Sequence, residues 1–251
     1  MTPTLMNFSR AYSFIDNVVS IVMNPSLLGG EDVVRDFFDF KSASFFNQIS
    51  RPQKHTILHS FIFNVNNFEA QHYLNKVDGE TIISDYSQIF SGADIIPPTW
   101  FNAKEVTSHI HQLRPIISKA TTIITESSFQ ILFADRTFLF EFNKLISSCI
   151  KSLEPQDHDC ILKPGVIERP YIPAWLRAAI YHRDKGRCQI CGLDMTNYFV
   201  PINQRHLDHM VPLKSSGIND PTNFQLLCHD CNSKKGSKIY ATKHLTFPYW
   251  T

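Results

Sequence analysis

Apolar residues recur at three- and four-residue spacing almost from the start of the chain. In SRAYSFIDNVVSIVM (9–23), Tyr12, Ile15, Val18/Val19 and Val22 fall on one helical face, and Ser26 with Gly29-Gly30 ends the pattern. EDVVRDFFDFKSASFFNQI (31–49) predicts a second helix with acids in its first turn, where they suit the helix dipole. A third is expected from Pro52 to about Asn75, although FIFNVNNF (61–68) also suits a strand. Residues 78–99 carry Gly79, Gly92 and Pro97-Pro98 and read as a loop with a short helix near 83–90, after which helix returns over 103–119. TTIITESSFQILFADRTFLFEF (121–142) fits either strands turning at Asp135-Arg136 or a helix; Phe138, Phe142, Leu145/Ile146 and Cys149 favour helix.

The pattern then breaks. EPQDHDCILKPGVIERP (154–170) holds three prolines, a glycine and mixed charges, which reads as a linker. Beyond it the elements are shorter. A helix is expected over 174–183, a strand near 200–205 with its return near 209–213, a segment over 222–227 that leads into Cys228, and a helix over 231–238. The organisation expected is α+β: a mainly helical domain (1–155), a linker (156–170) and a small second domain (171–251).

Charge sharpens that division. The chain's net charge is +1, yet from Lys163 onward there are 12 Lys and Arg against 6 Asp and Glu, leaving residues 1–162 at −5. Only the second half suits a polyanion on this count. Of the 20 phenylalanines, 17 precede residue 163, more than enough for a core. Clusters such as Phe37-Phe38-x-Phe40 and Phe45-Phe46 exceed one helix face, because neighbours on a helix point about 100° apart. Aromatics left exposed there suit a protein interface, with a second copy or a regulatory partner. No apolar run approaches the ~18–20 residues of a membrane span, and the first residues lack a signal-peptide pattern, so a cytoplasmic protein is expected.

The chemistry concentrates in Arg187–Lys238. Two Cys-x-x-Cys hooks, Cys188/Cys191 and Cys228/Cys231, offer four sulfurs for a tetrahedral structural zinc. The 36 residues between the hooks exceed the commonest two-hook spacing, so an extra piece is folded there, and it holds Asp208-His209. Cys149 and Cys160 have no evident role.

IPAWLRAAIYHRDKGRCQICG (172–192), LDHMVPL, NFQLLC and CHDCNSKKG together resemble the HNH endonucleases, in the branch whose ββα-metal hairpin is held by a four-cysteine zinc site. The resemblance covers the last third of the chain; residues 1 to about 160 carry none. It implies metal-assisted hydrolysis of phosphodiester bonds, with DNA as the substrate. It also implies His209 as general base, Asp208 and Asn232 as ligands of a catalytic Mg²⁺ or Mn²⁺, and Asn223 as a loop tie that orients the base. Asn232 also suits a helix N-cap. His206, two residues before Asp208 and on the same strand face, is an auxiliary candidate. Lys234, Lys235 and Lys238 beside such a site would meet the sugar-phosphate backbone. An acidic front domain is compatible with an effector of a phage-defence or toxin-type system. A different class also stands: a zinc knuckle that grips nucleic acid without cutting.

Overall fold

The computed structural model describes residues 6–25, 30–40, 42–102, 106–196 and 205–240. Most of the strand expected over 200–205 therefore lies outside the described residues. Seven helices come first: α1 (Ala11–Met23), α2 (Gly30–Phe37), α3 (Ala43–Ser50), α4 (Ile57–Tyr73), α5 (Gly79–Gly92), α6 (Ile110–Ala134) and α7 (Arg136–Ile150).

Side-chain caps explain where the sequence reading went astray. The single helix expected over 31–49 is two, because Ser42 starts α3 afresh by accepting a hydrogen bond from the Phe45 amide at 3.1 Å. Residues 79–92, read mostly as loop, form a full helix. Asp78 caps it through the Thr81 amide at 2.8 Å, and Ile82, Tyr86 and Phe90 bury one face at four-residue spacing. The helical reading of 121–142 holds, with a break at Asp135, whose carboxylate accepts from the Thr137 and Phe138 amides and opens α7.

The chain parts into two compact units that do not follow the composition boundary. One comprises Met1–Ser20 and Leu58–Leu132, the other Ile21–Ile57 and Phe133–Thr251. In the first, Phe61, Ile62, Phe90, Phe101, Leu113 and Ile117 lie in a buried apolar core. No described helix is long and apolar enough to cross a membrane.

In the second unit α2 packs on α7. The stretch read as a linker contains an antiparallel hairpin, β1 (Ile161–Lys163) and β2 (Val166–Ile167), turned at Gly165 with φ +66°. Helix α8 (Ala174–Arg183), strands β3 (Arg205–His209) and β4 (Phe224–Cys228), and helix α9 (His229–Lys235) complete it. The core between them contains Leu176, Ile180, Met195, Phe224, Leu226 and Leu227.

The clustered phenylalanines expected to leave exposed rings are largely packed: Phe38, Phe45 and Phe46 are buried, and Phe37 and Phe40 are half-buried. Breaking the helix into α2 and α3 folds Phe45 onto Phe38 and Phe40, with ring centroids 5.9 and 4.6 Å away, while Phe46 stacks on His158 at 4.4 Å.

Candidate active site and metal centre

Strands β3 and β4 run antiparallel, with Arg205 opposite Cys228, Asp208 opposite Gln225 and His209 opposite Phe224. The expected return strand at 209–213 is instead the start of a packed loop that leads to β4. Asn223 ties this loop: its Oδ1 accepts from the Val211 amide, and its Nδ2 donates to the carbonyls of Val211 and Ile218, each at 2.9 Å.

Register also sets the cysteine cluster. Cys188 and Cys191 follow α8, Cys228 ends β4 and caps α9, and Cys231 lies in the first turn of α9. Their four Sγ atoms all lie within 4.8 Å of one another, with Cys191 and Cys228 3.8 Å apart. A tetrahedron with Zn–S bonds of about 2.3 Å has edges of about 3.8 Å. Four thiols and no oxygen donor fit Zn²⁺, and the cluster is the one such group of His, Cys, Asp or Glu among the described residues.

His209, 7% exposed, packs at a tilt against Phe224 with centroids 4.4 Å apart, and its Nε2 lies 3.0 Å from Asn219 Oδ1. The amide of Asn219 settles which imidazole nitrogen carries the proton. Asn219 Nδ2 donates to the Ser50 carbonyl at 2.8 Å and the Glu168 carbonyl at 2.7 Å, so its Oδ1 can only accept. Nε2 must then be the N–H, and Nδ1 keeps the lone pair. Burial pushes the His209 pKa down to about 4; the Asn219 bond opposes this, and the positive charges of Arg169 and Lys235 reinforce it.

Asp208, with a side chain 13% exposed, receives two bonds on Oδ2: from Lys235 Nζ at 2.9 Å and from Gln225 Nε2 at 2.9 Å. Gln225 Oε1 in turn accepts from Arg136 Nη2 at 2.7 Å, which carries the network back to the start of α7. Arg136 is itself buried beside Asp184, and burial lowers its pKa to about 10 despite that carboxylate.

Residues 188–238 match the HNH endonuclease family. No curated protein and no solved structure matches the chain. Within the HNH segment Asp208 and His209 occupy the end of β3, and α9 brings Lys235 up to them. Asn232 stands three residues before Lys235, a spacing that places both on one side of α9.

Lys235 requires a correction. It is 1% exposed, and its ammonium is spent inward on Asp208 Oδ2 and, at 2.9 Å, on the His209 carbonyl. It is not available to an external phosphate. Lys234 and Lys238 are exposed, though Lys238 lies beyond the helix, which closes at Gly236. Arg183 is likewise held inward, its Nε 2.8 Å from Asp184 Oδ1. His206 is partnered by His229, Nε2 to Nδ1 at 3.4 Å, a pairing that spacing alone did not reveal.

Sequence reasoning missed Asn219, Gln225 and Arg136. Nothing local marks them. Asn219 reads as an ordinary turn residue in GINDP, and its partners are carbonyls far away in the chain.

Proposed function

We propose that this chain is a metal-dependent endonuclease that hydrolyses phosphodiester bonds, with DNA as its substrate. The observation that carries the reading is the fixed tautomer of His209: with Nε2–H turned into Asn219, Nδ1 is the atom that takes a proton from attacking water. A neutral imidazole is needed for that step, and burial favours the neutral form. Asn223 holds the loop around the base in place. A hard divalent cation, Mg²⁺ or Mn²⁺, would be held by Asp208 and Asn232 and would offset charge building on the phosphate and the departing oxygen. The donor chemistry fits: both bonds to Asp208 fall on Oδ2, which leaves Oδ1 for a cation. The four cysteines hold a structural zinc that fixes β4 against α9.

The test is a cleavage assay on plasmid and single-stranded DNA with Mg²⁺, Mn²⁺ or neither. His209→Ala should lose activity by on the order of 10²-fold or more, with zinc content unchanged. Near wild-type cutting by that variant would remove His209 from the mechanism.

One observation favours a second reading, a zinc module that binds nucleic acid without cutting. Lys235 already supplies a positive charge to Asp208. That reading predicts binding but no cleavage with any divalent metal.

Regulation through a protein partner or a second copy belongs to the first reading, as in an effector of a defence or toxin system in the cytoplasm. Tyr12, Phe68 and Tyr73 support it: all three are exposed aromatics of the first unit. Solution mass, measured with and without candidate partners, tests it.

A further inference from the structure

The net charge of −5 over residues 1–162 hides a local reversal. A groove of about 830 Å³ in the second unit is lined by Arg35 of α2, Lys144 within α7, Lys151 at the C-terminal end of α7, and Lys214 of the loop that follows His209. Serines complete much of the lining, among them Ser148 and Ser152, whose hydroxyls donate to the Leu145 and Cys149 carbonyls, and no carboxylate among the described residues belongs to it. Lys144 shares its charge with Glu141, 2.7 Å away. Arg35, Lys151 and Lys214 have no ion-pair partner among the described residues, and the Arg35 guanidinium lies 5.6 Å over the Phe40 ring. The C-terminal end of α7 contributes about half a negative charge; the three cations without an ion-pair partner outweigh it.

The groove is tied to the catalytic loop. Val211, two residues past His209, lines it. Gly165, at the turn of β1 and β2, wedges between α7 and this loop so closely that a Cβ there would lie 2.7 Å from Ser216 Oγ and 2.9 Å from Lys151 Cα. The cations therefore stand at a set position relative to the base.

We propose that this groove binds the sugar-phosphate backbone of the nucleic acid cut at His209, so that α2 and α7 supply a substrate track outside the HNH segment. The proposal rests on the nuclease reading for its substrate. Ammonium and guanidinium groups suit phosphate oxygens and carry no base-reading pattern here, so the contact is independent of sequence.

The experiment uses the full chain, zinc-loaded, in the His209→Ala background and without added divalent metal. Fluorescence anisotropy measures its affinity for a labelled 20-base-pair duplex over a series of salt concentrations. Replacing Arg35, Lys151 and Lys214 together by Ala should weaken binding on the order of tenfold or more at low salt. It should also reduce the slope of log affinity against log salt by about 2 to 3, close to 0.9 per lost phosphate contact. The corresponding Arg35→Lys, Lys151→Arg, Lys214→Arg protein should keep both, and the thermal midpoint reports that neither variant is unfolded. Unchanged affinity and slope in the alanine variant would overturn the groove while leaving cleavage by the parent chain intact. A parent chain that shows the salt-dependent loss on substitution yet never cuts DNA would overturn the nuclease reading and leave the groove standing.

Discussion

Two residues decide what the site can do, and one was invisible in the sequence. His209 is named by its motif, but its proton arrangement is set by Asn219, whose amide is spoken for by two backbone carbonyls. Asn219→Ala should strand those carbonyls and free the imidazole to rotate. We expect kcat to fall about 10- to 100-fold with KM for DNA little changed, because the substitution touches orientation and not binding. Steady-state kinetics separate the two; a loss confined to KM would show that Asn219 acts elsewhere. The depressed pKa of His209 has a stability consequence of definite sign. The unfolded imidazole titrates near 6.5 and the folded one near 4. Protonation thus favours the unfolded chain, and the stability present above about pH 6.5 is lost as pH falls toward 4. From pH 6.5 to 5 this amounts to about 2 kcal/mol. Denaturant unfolding of His209→Gln beside wild type should show that share of the acid loss missing in the variant.

At the scale of elements, patterns that close locally were legible and those that close at a distance were not. Helix α8 was placed correctly because its apolar spacing and its boundary are both local. The cysteine hooks were legible for the same reason. The return strand expected near 209–213 was misplaced because the segment that pairs with Arg205–His209 is β4, which lies beyond a packed loop. The hairpin at 161–167 was hidden by its own composition: Pro164 and Gly165 mark a turn as readily as a linker. Gly165 is the sharpest case, since both its left-handed φ and its crowding forbid a side chain. Gly165→Ala should destabilise the fold by about 1 to 3 kcal/mol. A chemical denaturation midpoint equal to that of wild type would mean the turn relaxes freely.

Counted over the whole molecule, charge and composition suggested a detachable nuclease behind an unrelated front domain. The contacts give the HNH segment a wider foundation. Asn219 leans on Ile49 through its amide at 2.8 Å and on Ser50 through its side chain, the Ile57 amide donates to Asp220 at 2.8 Å, and Arg136 holds Gln225 beside Asp208. A fragment of residues 171–251 keeps the four cysteines but none of these supports. It should bind one zinc per chain yet melt well below the full protein and cut DNA at least about tenfold more slowly. Zinc analysis, calorimetry and the cleavage assay would check this; full activity in the fragment would show that the outer supports are dispensable.

The tie between Asn219 and Ser50 spans 169 positions of sequence. Contacts between such distant segments form late, because the chain entropy of closing the loop must be overcome first. During synthesis the segment around Ser50 leaves the ribosome long before residue 219 exists. The imidazole of His209 is therefore oriented only once two segments made far apart in time have docked, so its proton arrangement depends on completion of the tertiary fold and not on the local hairpin alone.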